Sequence, residues 1–300
     1  MTRLFILSFM TGLMACNEYD FTALSEAPQV DPEDPAPPEQ GSGLGDPVQT
    51  SEVPDEVQTA PEDDCDHTSD LIYVIDRAEE SLYLFDPVTL GFDFVGFLEC
   101  GGAFSGTPSS MSISRSGYAY VRYSDDTVYA VNLKTMACEE TSYRRDFGSF
   151  GMGYATQDDD TWMDDLYVAN HSRLAHLDTT TWSLTDLGPM ASQSELTGNA
   201  DGELWAFLPL EVPAELIQLD KSTGEVLTTH RLPSFPNPYD LDTFAFATWG
   251  GEFWLFVRFY GLGQSTDVYR VTAGGALERV QADTGMDVVG AGVSTCAPSE

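Results

Sequence analysis

One pattern recurs five times between residues 81 and 280, and it constrains the fold more than any other feature of the chain. The segments SLYLFDPVTLGFDFVGFL (81–98), TVYAVNLKTMACEETSY (127–143), RLAHLDTTTWSLTDLG (173–188), ELIQLDKSTGEVLTTHRL (215–232) and DVYRVTAGGALERV (267–280) each read as strand, polar turn, strand. Short runs of alternating apolar residues, broken by Gly, Asp and Thr, carry the period of two that marks β-structure. Asp86, Asn132, Asp178, Asp220 and Thr272 occupy the same turn position, where a short oxygen-bearing side chain can accept hydrogen bonds from nearby backbone N–H groups. They stand 46, 46, 42 and 52 residues apart, the interval of a repeat whose unit is one small sheet.

Each unit is preceded by another strand: LIYVID (71–76), GYAYVRY (117–123), DDLYVAN (164–170), GELWAFL (202–208) and GEFWLFV (251–257). Before those lie segments rich in small residues, SSMSISR (109–115), FGMGYAT (150–156), ELTGNAD (195–201) and TFAFATW (243–249). Small side chains suit strands crowded around an axis. The first unit lacks such a segment, and VVGAGVS (288–294) stands alone at the C-terminus. The pattern therefore predicts an all-β chain, a β-propeller of five four-stranded blades, with 288–294 closing the first blade beside 71–76. A six-bladed ring with one degenerate blade is the alternative.

The chain begins with a different object. Arg3 precedes an uncharged apolar run, Leu4 to Ala15, too short to span about 30 Å of hydrocarbon as a helix. The run ends Leu13-Met14-Ala15-Cys16, which resembles the bacterial lipobox. The resemblance implies that residues 1–15 are a lipoprotein signal peptide and that Cys16 becomes the acylated N-terminus, attached to a membrane through its lipid. Asn17 in place of an Asp after that Cys favours the outer membrane of a bacterial cell envelope. Residues 17–64 hold 14 Asp/Glu, no Lys or Arg, and 8 of the 17 prolines. Such composition predicts a disordered acidic, Pro-rich linker over 16–64, leading to a propeller domain over 65–300. From the lipobox to the closing AGVSTCAP, the layout is similar to that of bacterial propeller lipoproteins with NHL or quinoprotein-like repeats. No catalytic signature comes with that likeness.

Charge narrows the partners. The chain has 13 Lys+Arg against 49 Asp+Glu, a net charge of −36. That excludes a nucleic-acid binder, which needs clustered basic residues against phosphate. With Cys16 set aside for lipid, Cys65, Cys100, Cys138 and Cys296 form an even set in an exported chain, which predicts disulfides. Closure of the ring places Cys65 and Cys296 at the same end of one blade, and Cys100 pairs with Cys138 by elimination. That second pair carries a conflict. In the usual strand order these two cysteines fall at opposite ends of their blades unless the 99–109 loop folds back.

Chemistry-bearing residues are few. Expected on the upper face, made by the loops between second and third strands and between blades, are Arg77, Asp125, His171, Arg173, Tyr239, Arg258 and Tyr260. Glu195 is the axial carboxylate. The acidic run containing Asp158, Asp160 and Asp164 is the candidate for calcium, although Trp162 stands where a calcium loop wants a ligand. His171 and His176, an odd number apart, face opposite ways on a regular strand and do not share a metal. No cofactor is expected. The leading expectation is a non-catalytic binding or scaffold propeller for a protein, peptide or glycan partner. The alternative is a metal-dependent envelope hydrolase or lactonase using Glu195, with Asn170 and Asn199 as further ligands. Trp205, Trp249, Phe253, Trp254, Phe256 and Phe259 are expected in the core between blades.

Overall fold

The computed structural model describes residues 65, 68–102, 106–158, 163–261 and 265–300. Residues 1–64, which hold the expected signal peptide, Cys16 and the expected linker, lie outside the described residues, as does Asp160. Among the described residues, twenty strands form five four-stranded antiparallel sheets. Blade 1 combines β1 (Ile72–Asp76), β2 (Ser81–Asp86) and β3 (Gly91–Phe97) with the last strand, β20 (Val288–Gly292). Blade 2 holds β4 (Pro108–Ser114), β5 (Tyr118–Tyr123), β6 (Val128–Asn132) and β7 (Cys138–Glu140). Blade 3 holds β8 (Gly151–Thr156), β9 (Asp164–Ala169), β10 (Arg173–Asp178) and β11 (Ser183–Pro189). Blade 4 holds β12 (Glu195–Gly198), β13 (Leu204–Leu208), β14 (Ala214–Leu219) and β15 (Val226–Leu232). Blade 5 holds β16 (Leu241–Trp249), β17 (Glu252–Phe259), β18 (Asp267–Val271) and β19 (Leu277–Gln281).

The five small-residue strands stand side by side in the order β4, β8, β12, β16, β20 and back to β4. This is a closed five-bladed propeller, and the six-bladed alternative is set aside. Closure is as expected from sequence: β20 pairs antiparallel with β1, Tyr73 opposite Gly292 and Ile75 opposite Gly290. Cys65 and Cys296 are joined, with Cα atoms 5.5 Å apart.

Glycine on the axis has a steric cause. A Cβ on Gly198 would overlap the Tyr154 carbonyl oxygen of the neighbouring blade, and one on Gly153 would lie 2.8 Å from the Leu196 carbonyl carbon. Gly198→Ala is expected to destabilise the domain by about 1–3 kcal/mol, the usual cost of overpacking. A thermal melt unchanged within about 1 °C would refute this close approach.

The core is not central. It consists of five separate apolar layers, one between each pair of neighbouring blades. Alternation along one strand feeds two layers. In β17, Phe253, Leu255 and Val257 face blade 4, while Trp254 and Phe256 face blade 1. The aromatic residues thus pack between blades, as expected.

The repeated turn residues do their expected work. Asp86 Oδ1 accepts from Val88 N at 2.8 Å, Asp178 Oδ1 from Thr180 N at 2.7 Å, and Asp220 Oδ1 from Ser222 N at 2.9 Å. Asn132 and Thr272 cap the matching turns. Donors around Asp220, first the Ser222 hydroxyl and N–H, pull its pKa down to about 2. Four residues after each Asp or Asn the backbone turns left-handed: φ is 58° at Leu90, 57° at Met136, 56° at Trp182 and 71° at Gly224. Only the last is glycine. The other three keep a side chain there and pack it on an inter-blade layer.

The conflict over Cys100 and Cys138 dissolves in the structure, where the two are bonded with Cα atoms 5.3 Å apart. The expectation of opposite ends assumed outer strands parallel to the axis. Each strand turns roughly 20–25° from its neighbour, and bulges add more. Bulges lie between the third and fourth strands of blades 1, 3, 4 and 5. The outer strand therefore lies across its blade, with its end on the lower turn of the next one. Gly96, late in β3, sits against Met136 of blade 2, and Gly188, late in β11, against Thr223 and Gly224 of blade 4. Cys100, three residues past β3, arrives beside Cys138 for this reason.

Candidate functional site

The N-terminal ends of the five inner strands surround a cup of about 150 Å³ on the upper face. It is lined from all five blades: Arg77 and Val289 from blade 1, Ser109 and Arg122 from blade 2, Phe150 from blade 3, Glu195 from blade 4, and Asp242 to Phe244 from blade 5. Ser149 and Gln193 complete the wall. Below this level Gly153, Gly198, Gly290 and Gly292 let neighbouring inner strands approach closely. At the opposite end a buried cluster ties three blades together. Arg115 Nη2 lies 3.0 Å from Asp164 Oδ1 and donates to Thr156 and Thr295, and the Thr295 hydroxyl donates to Asp164 at 2.8 Å.

Glu195 opens β12 at the base of the cup and is 6% exposed. The Ser110 hydroxyl donates to its Oε2 at 2.7 Å. Burial pushes its pKa up to about 8, against the lowering influence of Ser110, Arg122 and the Met152 N–H. At neutral pH it therefore carries a proton.

Arg122 is placed by strand alternation. In β5, Ala119, Val121 and Tyr123 face blade 1, so Tyr120 and Arg122 face blade 3. Its guanidinium lies 5.4 Å over the Phe150 ring. Nη1 donates to Ser109 Oγ, and Nη2 meets Asp126 Oδ1 at 3.2 Å. Nε is buried and has no partner among the described residues; the same holds for the Thr243 hydroxyl on the facing wall.

The rim over blades 1 and 5 is an ionic lattice. Arg77 meets Asp287 Oδ2 at 2.8 Å, and Arg258 bridges Asp287 Oδ1 at 3.1 Å and Asp242. Burial opposes ionisation of Asp242, but hydrogen bonds from Tyr260 and Arg258 outweigh it and hold its pKa below the ordinary range. The same bond raises the pKa of Tyr260. Tyr239 and Tyr260 stand beside this lattice, 86% and 66% exposed, linked through the Tyr260 N–H to Asp240 O at 2.7 Å.

Of the seven upper-face residues named from sequence, the structure brings Arg77, Arg258 and Tyr260 together at the cup, with Tyr239 at its edge. The other three lie elsewhere on that face. Asp125 caps its own turn through Thr127 N. His171 is exposed in the turn after β9. Arg173 lies 4.4 Å over Phe147 and is held by Asp186 at 2.8 Å. The ligand set Glu195, Asn170 and Asn199 is not assembled. Asn170 caps the turn before Arg173 and donates to Phe147 O at 2.8 Å. Asn199 lies past the far end of β12 and caps the turn at Glu203. Of the calcium candidates, Asp158 meets Lys221 at 2.6 Å and Asp164 is held by Arg115. Among the described residues no three His, Cys, Asp or Glu side chains form a metal-binding group. His176 pairs with Asp165 at 3.2 Å, away from His171. Arg122, Ser110, Asp242 and Asp287 were missed. A signal existed for Arg122: it follows Val121 in YAYVRY as Arg258 follows Val257 in FWLFVRF, a lone cation late in an otherwise apolar second strand.

No protein-family model matches the chain, and a search of curated proteins finds no match. Solved structures resemble it in fold. A chain of a nidogen/laminin complex is 11% identical with a TM-score of 0.48, covering 77% of this chain and 83% of that one. A chain of a mitotic checkpoint complex is 13% identical with a TM-score of 0.39, covering 74% and 64%. The dihydro-heme d1 dehydrogenase NirN, in complex with DHE, is 16% identical with a TM-score of 0.34, covering 70% and 43%.

Proposed function

We propose that this propeller is a non-catalytic recognition module, tethered to a bacterial cell envelope through lipid on Cys16, that takes a polar group of its partner into the upper cup. The observation that carries the reading is the state of the acids around the cup. Glu195 is protonated, and Asp126, Asp242 and Asp287 are each held by an arginine. Such acids orient donors rather than gather a cation. The polar wall with two exposed tyrosines beside it suits a glycan or the exposed surface of a protein.

Two experiments test this. Cys16→Ser is expected to abolish incorporation of a fatty-acid analogue and release the chain from membranes; unchanged labelling would sink the tether. Cross-linked capture from envelope extract should recover a partner with the native protein and lose it with Arg122→Met. Equal capture would move the binding surface away from the cup.

A second reading has one observation in its favour. A protonated Glu195 and an ionised Asp242 line the same cavity, a division of protonation states that hydrolases also use. It requires no metal.

A further inference from the structure

We infer that the cup is a binding site for one carboxylate, presented by a sugar acid, with Arg122 and Glu195 as the two groups that hold it. The inference rests on the recognition reading above and names the ligand class.

Three features converge. The first is an unmet donor. Arg122 is 5% exposed, and its Nε–H has no acceptor among the described residues. Guanidinium is a donor-only group, so only an acceptor oxygen brought to it can satisfy this donor. A carboxylate does so with a charge-assisted bond. The second is Glu195. Ser110 and the Met152 N–H already donate to its carboxyl, so the proton it holds is free to be donated into the cup. A carboxylic acid donating to one oxygen and a guanidinium to the other clamp a carboxylate from two sides. The third is the wall. Ser109, Ser149, Thr243 and Gln193 line the same space as Phe150 and Phe244. Such a mix of polar and aromatic side chains matches a pyranose, which has polar edges and apolar faces. A void near 150 Å³ admits one six-membered ring. One carboxylate, unlike a polyanion, needs no basic field around it, which reconciles the site with a chain of net charge −36.

Glu195 makes the site sensitive to pH. The charged groups around it are Arg122 from blade 2, with Asp126 and Tyr143 behind it, and Arg77 and Asp242 on the cup wall from blades 1 and 5. Only protonated Glu195 donates, so affinity falls as pH rises through about 8. The competent fraction drops about tenfold between pH 7 and pH 9.

The test is calorimetric titration of the purified full-length chain with methyl glucuronide, methyl glucoside and an N-acetylated dipeptide with a free C-terminus. The uronide is expected to bind, the neutral glucoside not, and the uronide affinity to fall about tenfold from pH 7 to pH 9. Arg122→Met should remove binding while a thermal melt still shows a folded domain. Glu195→Gln, whose amide donates at every pH, should bind the uronide equally at pH 7 and pH 9. Equal affinity for glucoside and uronide, binding of the dipeptide alone, or no binding of any probe to the folded wild type would overturn the inference. Hydrolysis of the glucuronide, followed by NMR during the titration, would instead refute the non-catalytic reading and leave the carboxylate site standing. Continued partner capture without uronide binding would refute the site alone.

Discussion

Glu195→Gln is expected to raise the melting temperature of the domain at pH 8 by on the order of 10 °C and to change it little at pH 5. The reason is linkage. The folded-state pKa of Glu195 is pushed up to about 8 by burial, from an ordinary value of 4.5. Between those two values the folded chain keeps a proton that the unfolded chain releases, so stability falls as pH rises through that window. Each pH unit costs about 1.4 kcal/mol, and the whole window roughly 4–5 kcal/mol, after which the loss stops. Glutamine carries no proton to hold, and its amide oxygen still accepts from Ser110. The difference between variant and wild type is the readout, because the net charge of −36 bends both curves alike. Parallel melting curves from pH 5 to pH 9 would show that Glu195 is not buried as described.

Removing residues 287–300 is expected to prevent cooperative folding. Val288, Val289, Ala291 and Val293 are all buried in the ring. At about 1.5–3 kcal/mol per buried aliphatic side chain, their loss alone is roughly 5–8 kcal/mol. A domain of this kind has about 5–15 kcal/mol of net stability. The truncation also leaves β1 as an unpaired edge and removes Asp287 from Arg77 and Thr295 from Asp164. Breaking only the Cys65–Cys296 bond should be milder. It releases a cross-link over 231 residues, about 5–6 kcal/mol on the loop-entropy view and often less in practice, but leaves the strand in place. A Cys65→Ser, Cys296→Ser double variant should therefore melt lower yet still fold. Circular dichroism and urea melts of the variants against full length decide this. A soluble fragment ending at 286 with a single sharp transition would reject the closure argument.

Much of the ring was legible in the sequence because blade formation is local. Alternation sets which face of each strand is apolar, and the Asp, Asn or Thr at 86, 132, 178, 220 and 272 sets each turn. VVGAGVS announced closure because it had the composition of an inner strand and no blade of its own. The left-handed backbone at Leu90, Met136 and Trp182 was not legible. Glycine ordinarily marks that conformation, and here inter-blade packing retains a larger side chain in it.

The sequence by itself determined that the chain is a repeat of small antiparallel sheets and which strand closes the circle. These follow from residue periodicity over at most about fifty positions. The structure decided between five blades and six. Tertiary structure alone decided the cup. Ser110 and Glu195 are 85 residues apart and Arg77 and Asp287 are 210 apart, so no local pattern joins them. The proton on Glu195 depends on burial by neighbouring blades, and the meeting of Cys100 with Cys138 depends on twist accumulated across whole sheets. Burial and twist are sums over many distant residues, and they exist only once the ring has closed.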